Sequence, residues 1–222
     1  MGAILFSYIF SASLSFAAVE GGKTKNDFKL VTQSVGLVAG KHVTSREVTI
    51  NSFIEDQLYR SKNTKRIYRY SPGNSKFIQE TTAVLLEMAI SEEGLRFPVA
   101  QVEEAELKSQ RRKFLQKARS NKAWKALQVE ENELDDQLRS KISAKKFIRF
   151  KVSSASLPIT DQEAEAYFNK NRFKFDKLPF KKFKKNIKAY LNKKRVDARL
   201  REWFEVLQIK YSIRNQLDED RT

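Results

Sequence analysis

The chain has 222 residues, no cysteine, one histidine and a formal net charge of +16, which excludes disulfides, thiolate metal sites, cysteine nucleophiles and histidine-rich metal centres. With only seven glycines and four prolines against 41% hydrophobic and 32% charged residues, it is neither a turn-rich barrel nor a disordered chain, and long helices around a real core are expected. The positive charge implies attraction to something anionic: nucleic acid, lipid headgroups or acidic protein.

Residues Gly2 to Val19 carry no charged side chain, and the apolar stretch Ala3 to Phe10 is followed by small residues. Ser15-Phe16-Ala17 matches what a signal peptidase reads, so residues 1–17 are expected to be a signal peptide cleaved near Ala17, although no Lys or Arg precedes the apolar run. The run is short for a membrane span. Export places the mature chain in the periplasm. Residues 18–30 are polar and glycine-bearing, a flexible lead-in.

Val35, Leu37 and Ala39 alternate ahead of Gly40-Lys41, and His42 to Thr44 follows, which predicts a small β-hairpin. Thr49 or Asn51 is the expected cap of a helix carrying Phe53, Ile54, Leu58 and Tyr59. Arg60 to Ser75 is basic and ends near Pro72-Gly73, a loop or insertion. From Lys76 the spacing of Phe77, Val84, Leu85 and Met88 predicts a helix that stops at Gly94, shortly before Pro98. Val102 to Arg119 forms the next helix, with Leu107, Phe114 and Leu115 inward. Asn121 caps a short helix with Trp124 and Leu127, and Glu131 or Asn132 opens one with Leu134, Leu138, Ile142, Phe147 and Ile148 inward.

Ser153 to Pro158 reads as a linker. Thr160 with Glu163 is a capping box opening a helix through Tyr167 and Phe168. Pro179 starts the longest helix, whose apolar face is read as Phe180, Phe183, Ile187, Leu191, Leu200, Trp203, Phe204 and Leu207. Tyr211 to Arg214 is expected to be a short terminal strand, and 215–222 an acidic tail, frayed at Asp218 to Asp220. The expected fold is mainly α with a small amino-terminal hairpin.

Several of these blocks resemble, in order, the SurA-like family of periplasmic chaperones, related to the PpiC and PrsA type. VAGKHVTSREVTINSFIED is similar to the family's opening hairpin and first helix, and LLEMAISEEGLRFPV to its second helix. QVEEAELKSQRRKF and WKALQVEENELDDQLRSKI are similar to the helices that pack next. ITDQEAEAYFNKN resembles the segment leading into the parvulin isomerase domain, and PFKKFKKNIKAYLNKKRVDARLREWFEVLQIKYSI the closing helix. Only RFKFDKL joins those last two blocks, too little to hold an isomerase. The family's isomerase histidines also have no counterpart there.

The resemblance implies a helical bundle completed by the long carboxy-terminal helix. Residues 31–214 then form one module, whose parts 31–150 and 159–214 do not fold independently. It also implies ATP-independent holding of unfolded polypeptides, outer-membrane protein precursors among them, through an apolar helical groove. No prolyl isomerase activity, no catalytic residue, no metal and no cofactor is expected. Phe180, Phe183, Tyr190, Trp203 and Phe204 are the candidate groove residues.

Other chemistry is weighed against these expectations. His42 has no partner in sequence that would orient it as a base. The pairs Glu92-Glu93, Glu103-Glu104, Glu130-Glu131 and Asp135-Asp136 lack calcium-loop spacing and read as solvated helix faces. Arg172 to Arg201 holds thirteen Lys or Arg residues among aromatics, a pattern compatible with phosphate neutralisation and base stacking. Export disfavours nucleic acid, and an anionic lipid surface is the further partner considered. The alternative reading is a cationic envelope-binding or nucleic-acid-binding protein.

Overall fold

The computed structural model describes residues 32–59, 73–175 and 178–219. The expected signal peptide with its cleavage near Ala17, the lead-in, residues 60–72 of the expected insertion and the last residues of the tail lie outside the described residues.

Strands β1 (Ser34–Val38) and β2 (Lys41–Thr44) form an antiparallel hairpin with Leu37 opposite His42 and Val38 opposite Lys41. The expected alternation of Val35, Leu37 and Ala39 is not kept: a register shift between Ser34 and Gly36 puts Val38 rather than Leu37 in the core, and Ala39 lies in the turn. Ala39 and Gly40 make the turn, with φ of 52° and 76°, because a two-residue hairpin whose twist matches its strands needs left-handed backbone there. The Ala39 N–H donates to the Tyr211 carbonyl (2.7 Å), tying the turn to the far end of the chain.

Helix α1 (Ser45–Leu58) starts before the expected caps at Thr49 and Asn51. Thr44 is the cap, in a reciprocal box with Glu47 that satisfies two orphan amides at once. Thr49 instead donates to the Ser45 carbonyl, and Asn51 to Glu87 on the next helix. Helix α2 (Ser75–Gly94), capped by Asn74, is followed by a 3-10 turn at Pro98–Ala100. Then come α3 (Glu104–Ala118) and α4 (Lys122–Ala126), the latter capped by Asn121 as the sequence predicts.

Helix α5 (Glu131–Ala155) runs through three residues of the expected linker. The Thr160–Glu163 box opens α6 (Asp161–Lys170), and Pro179 precedes α7 (Phe180–Lys210). Tyr211 to Ile213 are used to stop α7: Ser212 takes a left-handed φ of 47° and the Ile213 N–H reaches back to the Gln208 carbonyl. The terminal strand β3 is therefore Arg214–Asn215, and Gln216–Glu219 form one helical turn rather than a frayed tail.

β3 pairs antiparallel with β1, giving a sheet of order β2-β1-β3 that joins both ends of the described chain. Gly36 is required at the crossing. A Cβ there would lie 2.6 Å from Leu85 Cδ1 and 2.9 Å from the Arg214 carbonyl oxygen.

Three neighbouring clusters make the body. Phe53, Ile54, Leu107, Phe114, Trp124, Leu138 and Ile142 fill the space between α1, α3, α4 and α5. Val35, Val43, Val48, Val84 and Leu85 pack the sheet on α1 and α2, joined by Tyr211, Ile213 and Leu217. Ile90, Ala100, Ala144, Phe147 and Leu207 bring α2, α5 and the end of α7 together. A fourth cluster of Ile159, Ala164, Phe168 and Ile187 belongs to α6 and the first half of α7, which form an arm.

Candidate functional site

Helix α7 explains where the candidate residues go. At about 100° per residue, Leu191 and Leu200 lie half a turn apart around the axis. The apolar face read as continuous is thus two stripes on opposite sides. Phe180, Phe183, Ile187 and Leu191 face α6, while Val196, Trp203 and Leu207 lie on the other side, where Trp203 and Leu207 meet the body. Asn192, on this second side, exchanges a hydrogen bond with Ser156 after α5, and Arg199 donates to the Ala155 carbonyl.

The five expected groove residues are accordingly not one surface. Phe180 and Phe183 enter the arm cluster, with ring centroids 5.5 Å from Phe168 and 5.0 Å from Phe175 respectively. Tyr190 is 50% exposed and lies 5.5 Å, centroid to centroid, from Tyr167 on the rim of the same cluster. Trp203 and Phe204, 5.3 Å apart, lie on the body. Phe180 and Phe204 are separated by about 36 Å of helix at 1.5 Å per residue.

On the body, the aromatic surface is larger than its two expected members. Trp203 meets the buried Phe147 edge-on (5.7 Å), and Phe147 also touches Phe97 (4.8 Å) and Phe150 (6.0 Å). Phe97, Phe150, Trp203 and Phe204 keep part of their rings in solvent around that buried centre. The Lys151 ammonium stands over both Phe147 and Trp203, at 5.5 and 5.2 Å, an arrangement that favours a cation over the ring faces. Sequence reasoning took Phe147 as core and missed Phe97 and Phe150. The i, i+3 spacing of Phe147 and Phe150 was the available signal; the approach of Phe97 across the turn at Pro98 was not legible.

A shallow concavity of about 460 Å³ between α3 and the start of α5, lined by four Lys or Arg residues of and just after α3 together with Leu115, Gln116 and Glu131, shares no residue with either aromatic surface.

Most of the polar candidates are in structural pairs, while Glu103, Glu130 and Asp136 are exposed. His42 Nδ1 lies 3.1 Å from Ser34 Oγ, whose hydroxyl donates to Gln216 Oε1 (2.9 Å). These contacts bridge β1, β2 and the terminal turn. Glu92 pairs with Lys41, Glu104 with Arg139, and Glu131 and Asp135 with Arg111. Glu93 receives Lys210 (2.5 Å) and the Tyr211 hydroxyl (2.6 Å), locking the end of α7 to α2. Burial, then the Glu93 carboxylate, push the Tyr211 phenol up to about 12. Among the described residues no group of three or more His, Asp or Glu side chains is placed to hold a metal ion.

Comparison with protein-family models, with curated proteins and with solved structures finds no match to this chain.

Proposed function

We propose that the chain is an ATP-independent holding chaperone of the SurA-like type, without prolyl isomerase chemistry, that takes up unfolded polypeptides in the periplasm. Outer-membrane β-barrel precursors are the proposed clients. The observation that carries the reading is the partly exposed ring surface of Phe97, Phe150, Trp203 and Phe204 around Phe147. Unfolded chains offer apolar and aromatic segments, and such a surface buries them without reading sequence. At about 25 cal/mol per Å² of apolar area removed from water, contact with two or three rings gives weak, reversible capture.

Chain organisation supports the family reading. The hairpin and capped first helix resemble the family's opening block, and the carboxy-terminal strand β3 lies in the same sheet. Between α6 and α7, where the family carries its isomerase, only residues 171–179 intervene.

The test is light scattering from a chemically unfolded outer-membrane β-barrel protein diluted into buffer with this chain. Aggregation is expected to be suppressed at low and high salt alike. Phe150→Ser, at a ring 37% exposed and therefore tolerant of change, is expected to require several-fold more protein for the same suppression. Suppression that vanishes in high salt removes the apolar surface as its cause and favours the cationic envelope-binding alternative.

A further inference from the structure

The closed end of the arm, where α6 gives way to α7, carries an exposed ring that lies outside the body surface proposed for clients. Phe173, in the 3-10 turn Arg172–Lys174, is 81% exposed. The other arm phenylalanines, Phe168, Phe175, Phe180 and Phe183, pack on one another. The turn that presents Phe173 is fixed: the Lys174 N–H donates to the Asn171 carbonyl (2.9 Å) and the Phe175 N–H to that of Arg172 (3.1 Å). Arg172 lies over the Phe168 ring, 4.8 Å from its centroid, and donates to the Leu178 carbonyl (2.7 Å). Leu178 is itself 41% exposed.

Cations surround this apolar point. Lys170, Arg172, Lys174, Lys181, Lys182 and Lys185 are exposed, and none forms an ion pair among the described residues. Lys184 and Lys188, only slightly further around α7, are drawn to Asp161 (both 2.5 Å), so the acidic groups of α6 neutralise one flank of α7 and leave the end of the arm positive.

We propose that the end of the arm is a contact site for an anionic lipid bilayer. Phe173, with Leu178, enters the boundary between headgroups and acyl chains while the surrounding ammonium and guanidinium groups meet lipid phosphates. Charge complementarity selects an anionic occupant, and the arrangement of rings selects a bilayer over a nucleic acid. A single strand stacks successive bases on several presented rings; at the end of the arm one phenylalanine protrudes, the other arm phenylalanines are committed to packing, and the half-exposed Tyr190 lies against Tyr167. The site is independent of the body surface assigned to clients, and either assignment can fail without the other.

The full chain is mixed with vesicles made of equal parts phosphatidylcholine and phosphatidylglycerol, and bound protein is separated by sedimentation. Binding is expected to these vesicles and not to phosphatidylcholine alone. F173A is expected to bind about tenfold more weakly. Reversing three cations in K181E/K182E/K185E is expected to cost roughly a hundredfold or more, since each cation near the surface contributes about fivefold.

F173W places an emitting ring at the contact. Its fluorescence should shift to the blue and be quenched by brominated acyl chains, above the background from Trp124 and Trp203 in the unaltered chain. It keeps the site readable if F173A fails to fold. Aggregation suppression without lipid should be the same for F173A as for the parent. Unchanged vesicle binding by F173A, or an unquenched F173W, would overturn the proposal. Stronger binding to single-stranded RNA than to the vesicles at equal salt would overturn it in favour of a nucleic-acid site.

Discussion

The body and the arm are made of the same kinds of helix, yet they treat charge in opposite ways. In the body, Lys141 is 1% exposed and its ammonium is held by Glu55 (3.0 Å) and Glu87 (2.7 Å) from two other helices. Lys145 joins through Glu55 and Asn51 through Glu87. In the arm the buried residues are apolar, and the ion pairs among the described residues, from Lys184 and Lys188 to Asp161 and from Arg195 to Glu163, lie on the rim. A buried ion pair adds little net stability over an apolar replacement, but leaving one member alone is costly. The network therefore ties α1, α2 and α5 together through one buried ammonium, while the arm is held mainly by ring packing against a single helix.

That contrast can be broken from either side. The largest effect is expected for Lys141→Ala, which strands two carboxylates beside a cavity and should cost about 3–5 kcal/mol in denaturant unfolding. Lys141→Met fills the space without the charge and should cost more than removing all three charged groups together; additive losses for Lys141, Glu55 and Glu87 would show that they do not act as a unit.

In the arm, Phe168→Ala removes a ring buried against Phe175 and Phe180 and should cost about 3 kcal/mol. The loss should be local. Amide exchange in α6 should accelerate while α2 and α5 keep their protection. Equal acceleration throughout would mean that arm and body unfold as one.

Acid should act on the body. Burial pushes the Glu55 carboxyl up, but the ammonium groups of Lys141 and Lys145 outweigh it and hold its pKa below the ordinary value of 4.5. A carboxyl lowered in the folded state contributes stability that is complete above its unfolded pKa and is lost as pH falls through the folded value. Unfolding free energy should therefore decline below about pH 4.5. Glu55→Gln should flatten that decline, and an identical pH profile in the variant would exclude this carboxyl as its source. The smallest effect is expected at the hairpin. Ala39→Gly relieves a left-handed φ of 52° and should raise stability by about 1 kcal/mol or less, measured as a shift in Tm.

Local rules were legible where one short interaction decides them. The Thr160–Glu163 box, the Asn121 cap and the stop at Gly94 all fall where the sequence indicates. Thr44 was missed although it stands three residues before Glu47, the same spacing as the box that was recognised. The candidate surface was half legible: Trp203 and Phe204 belong to it, whereas Phe180 and Phe183 are packing residues of the arm. The half-turn offset between the two stripes of α7 was already implicit in their spacing; what each stripe touches was not.

By itself, the sequence determined the mainly helical class, the order of the helices and most of their ends, because periodicity, caps and breakers act over a few residues. It also determined the excess of positive charge. Only the tertiary structure decided that β3 returns to β1 beside Gly36, that Lys141 is shared by two helices and that α7 serves two cores from opposite sides. Those contacts join residues far apart in the chain, and a local pattern shows that a face must be buried without naming what will bury it.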